Sequence, residues 1–461
     1  MNPLFNTTVY NSRRAKLFSS LSSGIALFLG NPESPMNYPS NTYKYRQDSH
    51  FLYFFGLALP CLAAVIDIDN QEEILFGDDF EIDDIIWMGD QPKMNELAEK
   101  IGVKKVLPYS KLTSYIQENR KRKIHFTPPY RAENKIMLAN LLDIQISELS
   151  AQASIELIKG IVALREIKEQ EEIAQIENAC MIGHKMHSSV MKYCKIGITE
   201  SELFGIAEGV ALGLGNGTSF PVILSQHGET LHNHNHDGIL EDGKLLLCDA
   251  GAENRMNYCS DYTRTFPASG KFTSQQKEIY EIVYQANMNS IAACCPGIPF
   301  RDVHRKAVTI ITEGLQQVGL MKGDIESSVE LGAHALFMPH GLGHQIGLDV
   351  HDMEDLGENY VGYDDTIQRS NIFGWRSLRM AKTLRTGHVI TVEPGIYFIP
   401  HLIDIWEKEQ KFSSYINYDK LKSYRTFGGI RIEDDVLITE TGHRVLGPHL
   451  PKSVEELEGM V

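Results

Sequence analysis

Four carboxylates and one imidazole in the C-terminal half of the chain are the residues best suited to chemistry. They lie in or beside strand-like apolar segments, and they are Asp249, Asp261, His344, Glu393 and Glu433. A carboxylate in such a segment loses hydration and needs a compensating partner. A pair of divalent cations fits this oxygen-rich set, because structural zinc sites favour sulfur and nitrogen ligands.

A pair of divalent metals points to hydrolysis of an amide. Two such ions can activate a water molecule at neutral pH and polarise a carbonyl group. We expect two Mn²⁺ ions, with Co²⁺ or Zn²⁺ as the alternatives.

The two aspartates are expected to meet on paired strands. The apolar run of KLLLCDAG ends in Asp249, and across a predicted hairpin Asp261, Thr263 and Thr265 share one face of a strand. Alternate residues of a strand share one face, so both carboxylates can point into the same cavity. Each aspartate taken alone is more typical of a turn or a helix cap.

Three histidines lie in the segment 337–351, and they are His340, His344 and His351. Pro339 and the glycines of this segment argue against a helix. One histidine is expected to be a metal ligand and the other two to donate hydrogen bonds or carry protons. The alternative, that they are core histidines with satisfied hydrogen bonds, is weaker for three so close together.

Two glutamates complete the set. Glu393 follows the apolar segment Val389–Val392, and Glu433 lies two residues after Arg431. The guanidinium can orient the Glu433 carboxylate, whereas the alternative is a plain surface ion pair. Two further acids, Asp434 and Asp435, are expected to be solvated.

Composition limits the partners and the location. A chain of 461 residues with 43% hydrophobic and 23% charged residues predicts a globular protein of two domains. The net charge of -16 disfavours nucleic acid and anionic membranes, and favours a small substrate or a neutral peptide. Seven cysteines without CxxC spacing predict free thiols. Without a signal sequence or an apolar span, we expect a cytoplasmic protein.

The hydrophobic patterns predict an α/β domain over residues 1–160 and an α+β domain over residues 161–461 with a largely antiparallel sheet. The first domain is predicted to contain one early helix and four strands, which are Ser12–Leu21, Ile25–Leu29, Tyr53–Leu57, Ala63–Asp69 and Glu73–Phe76. A long charged helix, Arg165–Met191, marks the start of the second domain. Its predicted strands and helices include Lys244–Cys248, His388–Val392, Ile430–Ile438, Ser274–Ala293 and Asp302–Val318.

Five motifs in order resemble those of the Xaa-Pro peptidases, the prolidases and aminopeptidases P of the creatinase or pita-bread fold. They are LLLCDAG, SDYTRTFP, FMPHGLGHQIGLDVHD, TVEPGIYF and GGIRIEDDVLITETG. The resemblance implies an α/β N-terminal domain followed by an α+β pita-bread catalytic domain with a curved, largely antiparallel sheet. It implies cleavage of the Xaa-Pro bond at the N-terminus of proline-containing peptides.

The same resemblance implies roles for individual residues. The five residues of the opening set would be the dinuclear metal ligands, with Asp261 and Glu433 bridging or bidentate, and Glu393 would also transfer a proton. The resemblance places His232 at the substrate pocket, and it implies that His340 and His351 contact the substrate or stabilise the tetrahedral intermediate. Arg431 would support the catalytic site, and Tyr397 would contact the substrate. His234 and His236 match nothing in the family and are expected at the surface.

One spacing differs from that of the relatives. Their two aspartates lie eleven positions apart, whereas Asp249 and Asp261 lie twelve apart. An additional residue within a strand would turn Asp261 to the wrong face. We therefore expect a longer hairpin loop or a bulge that restores the phase.

The N-terminal segment Tyr45–Gly56 resembles the N-domain of the same family. In relatives, the loop that corresponds to Trp87 can reach the active site of a neighbouring subunit. Burial of Trp87 within its own domain is the alternative. A homodimer or homotetramer is expected by analogy.

The segment Phe373–Met380 resembles prolidase, in which an arginine matching Arg379 binds the free carboxylate of a dipeptide. The alternative is that Arg379 and Arg376 lie on a solvated helical face. The favoured function is an Xaa-Pro dipeptidase. The alternatives are an Xaa-Pro aminopeptidase acting on longer peptides and, more remotely, a non-catalytic peptide-binding relative.

Overall fold

The computed structural model describes residues 3–460, which form two compact units. The first unit runs to Arg165 and also contains the stretch Met353–Tyr360, whereas the second contains Glu166–Asp352 and the chain from Val361 onward. The predicted boundary after residue 160 falls inside the helix Ile155–Arg165. None of the helices in the described part of the chain is long and apolar enough to cross a membrane.

A five-stranded mixed sheet forms the centre of the first unit. In spatial order its strands are Lys105–Leu107, Glu72–Phe76, Ala63–Asp67, Ile25–Leu29 and Ile124–His125. The three central strands pair antiparallel and the two edge strands pair parallel. A two-stranded ribbon joins Pro35–Tyr38 to Asn41–Thr42. The helices are Thr7–Ser20, Ser49–Phe55, Ile82–Met88, Met94–Ile101, Lys111–Glu118, Ala132–Leu142, Leu149–Gln152 and Ile155–Arg165.

The predicted strand at Tyr53–Leu57 is wrong, because the helix Ser49–Phe55 occupies this position. The Asp48 side chain caps the helix by accepting a hydrogen bond from the backbone N–H of Phe51 (2.9 Å). All seven helical residues are buried, so the aromatic run has no polar face that would reveal a helical period.

The helix Ile82–Met88 has no buried residue. Trp87 on this helix is 85% exposed. The alternative that Trp87 is buried within its own domain is therefore wrong. Ile82, Ile86 and Met88 are exposed as well. The first unit therefore presents an apolar patch that its own core does not cover.

Short antiparallel sheets build the second unit, as predicted. Their strands are Ile223–Ser225, Leu245–Ala250 and Tyr262–Pro267; Gly217–Thr218 and Ala252–Glu253; Val389–Val392, Asp434–Ile438 and His443–Val445; and Gly395–Tyr397 with Gly429–Arg431. Each of these strand pairs is antiparallel. The helices are Gln170–Tyr193, Glu200–Leu214, Ser274–Ala293, Phe300–Gln317, Ile325–Leu331, Pro400–Lys408, Tyr418–Leu421 and Val454–Glu458.

The hairpin between the two aspartates keeps one register. The same antiparallel register runs from the Leu245–Pro267 pair to the Glu253–Cys259 bridge. The additional residue therefore lies in the loop 254–258, not in a bulge of either strand. Asn257 in this loop has a positive φ of 69°, a conformation that asparagine adopts more readily than most residues.

A glycine inside this hairpin lets the two strands approach closely. A Cβ atom on Gly251 would lie 1.8 Å from the backbone oxygen of Ser260. We predict that Gly251→Ala lowers the free energy of unfolding by about 2–3 kcal/mol, because the strands must separate. The matched control is Gly209→Ala in the helix Glu200–Leu214, where nothing lies within 4 Å. There the change is expected to raise stability by about 0.5–1 kcal/mol. Urea denaturation measures both, and equal effects would contradict the prediction.

Candidate metal centre and substrate cavity

Strand ends bring the five predicted residues to one cavity. Asp249 pairs with Thr263 across the hairpin, and Asp261 lies two residues before Thr263. Both carboxylates therefore share one face of the sheet. Glu433 interrupts the predicted strand Ile430–Ile438 and forms a single bridge with Thr263.

His344 and Glu393 approach from a neighbouring segment. The backbone oxygen of His344 accepts from Thr391 N–H (2.9 Å), and the N–H of Glu393 donates to the backbone oxygen of Leu342 (2.8 Å). These bonds hold the loop that carries His344 beside the strand that ends at Glu393. All five residues line a cavity of about 530 Å³.

The distances within the set suit metal coordination. His344 Nε2 lies 3.5 Å from Asp261 Oδ2 and 3.7 Å from Glu393 Oε1. One potential ligand atom from each of Asp261, His344 and Glu433 lies within 4.8 Å of the other two. The buried atoms Asp249 Oδ1 and Asp261 Oδ1 accept no hydrogen bond from the residues that the structure describes. Two orphaned carboxylate oxygens that face the same cavity are the environment that a cation completes.

The pKa values of the candidate ligands also favour a bound cation. Burial raises the pKa of Asp261 well above its usual value, and repulsion from Asp249 adds to the increase. The pKa of Glu433 is raised by burial and by repulsion from Asp261. Burial lowers the pKa of His344, which favours the neutral imidazole that binds metals. Without cations this cluster disfavours its own carboxylate charges.

Arg431 is buried against this cluster and is not part of a surface pair. Its Nη2 forms an ion pair with Asp249, and its Nη1 donates to the Tyr397 hydroxyl (2.7 Å). Its Nε donates to Thr263 Oγ1 (3.1 Å), and that hydroxyl donates to Glu433 Oε2 (2.6 Å). The predicted support of Glu433 by Arg431 therefore runs through Thr263, because the guanidinium faces Asp249.

The expectation that Asp434 and Asp435 are solvated is wrong. Asp434 is buried and paired with Arg264 Nη2 (2.6 Å) and Lys452 Nζ (2.7 Å). Asp435 is fully buried, and its Oδ2 accepts the backbone N–H of Asp261 (3.0 Å). Burial raises the pKa of Asp435 to about 8. The error arose because three successive acids look hydrophilic in sequence, although each has its own partner in the fold.

The three predicted histidines around the ligands line the same cavity. The His351 ring packs edge-on against His344, with centroids 4.3 Å apart. His340 Nδ1 lies 2.8 Å from the backbone oxygen of Gly341, and its Nε2 lies 2.9 Å from the Tyr397 hydroxyl. A carbonyl oxygen can only accept, so Nδ1 carries the proton and Nε2 accepts. His232 is exposed at the cavity.

The surroundings of His340 and His232 favour the neutral form of both rings. Burial lowers the pKa of His340 to about 3, and the nearby Arg431 charge contributes to the decrease. Partial removal from water at the wall of the cavity lowers the pKa of His232, although the side chain stays exposed on its other side, and the Arg431 charge adds to the decrease. A neutral imidazole next to the carboxylates can donate one hydrogen bond and accept another.

Tyr397, predicted as a substrate contact, lies behind the cavity. It is fully buried, and its hydroxyl bonds to His340 and Arg431. Sequence reasoning missed His234, which lines the cavity beside His232. The signal was its spacing, since His232 and His234 lie two residues apart. His236 instead stacks on Phe204, with ring centroids 4.3 Å apart.

Arg379 and Arg376 differ in their surroundings. Arg379 is partly buried and lines the cavity together with Ser377. Arg376 is exposed, and its guanidinium lies 5.3 Å from the centre of the Phe373 ring. The alternative of a solvated helical face fails for Arg379, because the segment contains only the 3₁₀ turn Trp375–Ser377.

Comparisons with known proteins agree with this geometry. The sequence model of Metallopeptidase family M24 matches residues 174–440, and that of the aminopeptidase P N-terminal domain matches residues 10–125. The Xaa-Pro dipeptidase of Homo sapiens is 32% identical over 450 residues, which cover 95% of this chain and 89% of that protein. A probable Xaa-Pro aminopeptidase of Fusarium vanettenii is 34% identical over 422 residues, which cover 90% and 87%.

Solved structures give the same result. A variant of Escherichia coli aminopeptidase P in complex with substrate has a TM-score of 0.82 and 28% identity, and the match covers 99% of this chain and 98% of that chain. The fold and the site thus define a metal-dependent hydrolase with a pita-bread catalytic domain. The chain belongs to metallopeptidase family M24, whose members use divalent metal ions.

Metal removal should make stability depend on pH. The raised pKa values of Asp261 and Glu433 mean that the folded metal-free protein holds protons that the unfolded chain has released. The buried histidines have lowered pKa values and act in the opposite direction below about pH 6.5. Above that range they are neutral in both states, so the free energy of unfolding is expected to fall as pH rises from about 7 to about 8. Added Mn²⁺ should restore stability at the higher pH, because it binds the folded state.

Urea denaturation of chelator-treated protein, with and without Mn²⁺, measures this effect at both pH values. Asp261→Asn is the control variant, and it should weaken both the pH dependence and the stabilisation by Mn²⁺. Equal stability of the metal-free wild type at both pH values would contradict the prediction.

Proposed function

We propose that this protein is an Xaa-Pro dipeptidase, in which Arg379 binds the free carboxylate of the substrate's proline. The observation that carries the proposal is that Arg379 lines the same cavity as the five candidate metal ligands. A guanidinium group forms charge-assisted hydrogen bonds with a terminal carboxylate. A longer peptide has no free carboxylate at this position and cannot form them, so the arginine favours dipeptides. The similarity to a human Xaa-Pro dipeptidase supports the same choice.

The candidate ligands would hold two metal ions, and they are Asp249, Asp261, His344, Glu393 and Glu433. Bound there, divalent metals supply a nucleophilic water at neutral pH and polarise the scissile carbonyl. We propose Mn²⁺ as the resident ion, because four carboxylates and a single imidazole form a hard ligand set. Metal analysis of the purified protein tests this identity.

Protein side chains would move the proton and orient the substrate. Glu393 lies between His344 Nε2 (3.7 Å to Oε1) and His340 Nδ1 (3.8 Å to Oε2). From there it can take a proton from the attacking water and pass it to the proline nitrogen. His351 and His232, both at the cavity, are the candidates for contacts to the substrate carbonyl. Arg431 and Tyr397 position Asp249 and His340 through their hydrogen bonds.

An Xaa-Pro aminopeptidase is the second candidate. It is favoured by the similarity to Escherichia coli aminopeptidase P and to a fungal protein named as a probable Xaa-Pro aminopeptidase. A non-catalytic peptide-binding protein fits less well. Such a protein would have no use for buried carboxylates with orphaned oxygens, which cost stability unless cations bind.

The substrate length separates the two enzymes. We predict that wild type hydrolyses Gly-Pro well and Gly-Pro-Pro poorly. Arg379→Ala should lower kcat/KM for Gly-Pro about 100-fold, because a buried charge-assisted contact to carboxylate is lost. Arg376→Ala is the matched control, since this exposed arginine is three residues away and does not line the cavity. Rapid cleavage of Gly-Pro-Pro alone would refute the dipeptidase and favour the aminopeptidase.

A homo-oligomer is also proposed, with the exposed helix Ile82–Met88 in its interface. Trp87 is 85% exposed, and Ile82, Ile86 and Met88 are exposed beside it. Patches of this kind commonly mark protein interfaces. Trp87→Ser is expected to lower the mass measured by light scattering, whereas Tyr193→Ser, also at an exposed aromatic residue, should leave it unchanged. A monomeric wild type would refute the proposal.

A further inference from the structure

Arg379 lies in neither a strand nor an α-helix. The far end of its stretch is held by the helix Phe300–Gln317, because the N–H groups of Phe300 and Arg301 donate to the backbone oxygens of Lys382 (2.9 Å) and Ala381 (3.3 Å). Within residues 376–382 the only regular structure is the end of a 3₁₀ turn. Ser377 and Arg379 of this stretch line the cavity. An arginine that measures substrate length must nevertheless be held at a defined distance from the metal ligands. The part of that constraint that lies next to Arg379 comes from residues 361–369, which begin at the last residue of the short helix Glu358–Val361.

Residues 361–369, here named the bracing segment, contact the Arg379 stretch at three points. The Tyr363 hydroxyl donates to the backbone oxygen of Leu378 (2.6 Å). The backbone oxygen of Gly362 accepts from the N–H groups of Ala381 (2.8 Å) and Lys382 (3.0 Å). Arg369 Nε donates to the backbone oxygen of Arg376 (3.0 Å). The peptide groups on both sides of Arg379 are thus held by the bracing segment.

Gly362 shows how close the two stretches lie. A Cβ atom at this position would lie 1.7 Å from the backbone oxygen of Arg379. Because no side chain fits, the backbone of Gly362 packs directly against the peptide of Arg379. A displacement of the bracing segment would therefore displace the arginine.

The bracing segment is also tied to the metal centre. Gln345, which follows the candidate ligand His344, donates from Nε2 to the backbone oxygen of Val361 (3.0 Å). Gln345 also forms a bridge with Ile390, in the strand that leads to Glu393. A continuous set of hydrogen bonds therefore connects the ligand strand to Val361, Gly362 and the Arg379 stretch.

We propose that the bracing segment helps to set the distance between the metal centre and Arg379, and that the Tyr363 hydroxyl, by positioning Arg379, determines the preference for a free substrate carboxylate. This inference rests on the proposed dipeptidase function. Tyr363 is a positioning residue, since it is buried and acts through the Leu378 carbonyl next to Arg379. Its hydroxyl influences the preference for a free terminal carboxylate without contacting the substrate.

Tyr363→Phe tests the proposal, because it removes the hydroxyl and keeps the ring. The two substrates are Gly-Pro and Gly-Pro amide, which have equal length but differ in the terminal carboxylate. The variant is expected to raise KM for Gly-Pro about fivefold and to leave kcat within about twofold, as suits the loss of one buried hydrogen bond. The kinetics with Gly-Pro amide should not change.

Tyr280→Phe is the matched control. Tyr280 is fully buried, and its hydroxyl donates to a backbone oxygen, that of Lys452 (2.8 Å), but it does not line the cavity. This variant should leave both substrates unaffected. If Tyr363→Phe lowers the activity with both substrates to a similar extent, the hydroxyl has a general structural role and the proposal is overturned. Unchanged kinetics with both substrates would also overturn it.

Arg379→Ala, measured with the same pair of substrates, separates the two hypotheses. If Arg379→Ala lowers the activity with Gly-Pro no more than the activity with Gly-Pro amide, the dipeptidase function and this inference both fail. If Arg379→Ala impairs Gly-Pro selectively but Tyr363→Phe does not, only the role of the bracing segment is refuted. A selective loss with Gly-Pro in both variants supports the dipeptidase function and the role of the bracing segment.

Discussion

Repulsion among buried carboxylates is the constraint on which the rest of this structure depends. Asp249, Asp261 and Glu433 are each less than a tenth exposed, and Glu393 joins them at the same cavity. The Arg431 guanidinium contacts Asp249 and offsets part of this charge. The remaining negative charge needs divalent cations, which is why a metal-dependent hydrolase is the consistent interpretation of the site.

The strands arrange their acids by simple alternation. Glu433 points toward the cavity, Asp434 pairs with Arg264 and Lys452, and Asp435 accepts the N–H of Asp261. Alternation turns Asp434 to the face opposite that of Glu433 and Asp435. Glu433 and Asp435 share a face but have different partners, which are Thr263 Oγ1 and the backbone N–H of Asp261. A shift of one residue in the register would exchange these roles and leave buried charges without partners.

The proposed recognition of the substrate carboxylate lies in a different kind of structure from the candidate metal centre. Four of the five candidate metal ligands lie in or directly beside antiparallel strands, and His344 lies in a loop next to them. Arg379 lies in an irregular stretch that is held in part by side-chain and backbone hydrogen bonds from residues 361–369. Because of this division, a few changed contacts around Arg379 can alter the preferred length of the substrate while the metal centre remains intact. The mixture of dipeptidases and aminopeptidases among the relatives agrees with this separation.

The sequence by itself determined the antiparallel architecture of the second unit and the five candidate ligands, because strand periodicity and the order of the motifs are local properties of the chain. It also restricted the additional residue between Asp249 and Asp261 to a loop or a bulge, and only the strand pairing assigned it to the loop.

The helix at Ser49–Phe55, the burial of Asp434 and Asp435, the position of Tyr397 behind the cavity and the partners of Arg379 were decided by the tertiary structure. Each of them depends on groups that are distant in sequence. Burial on all sides hides the helical period of Ser49–Phe55, and a charge that is paired inside the fold has the same sequence pattern as one in water.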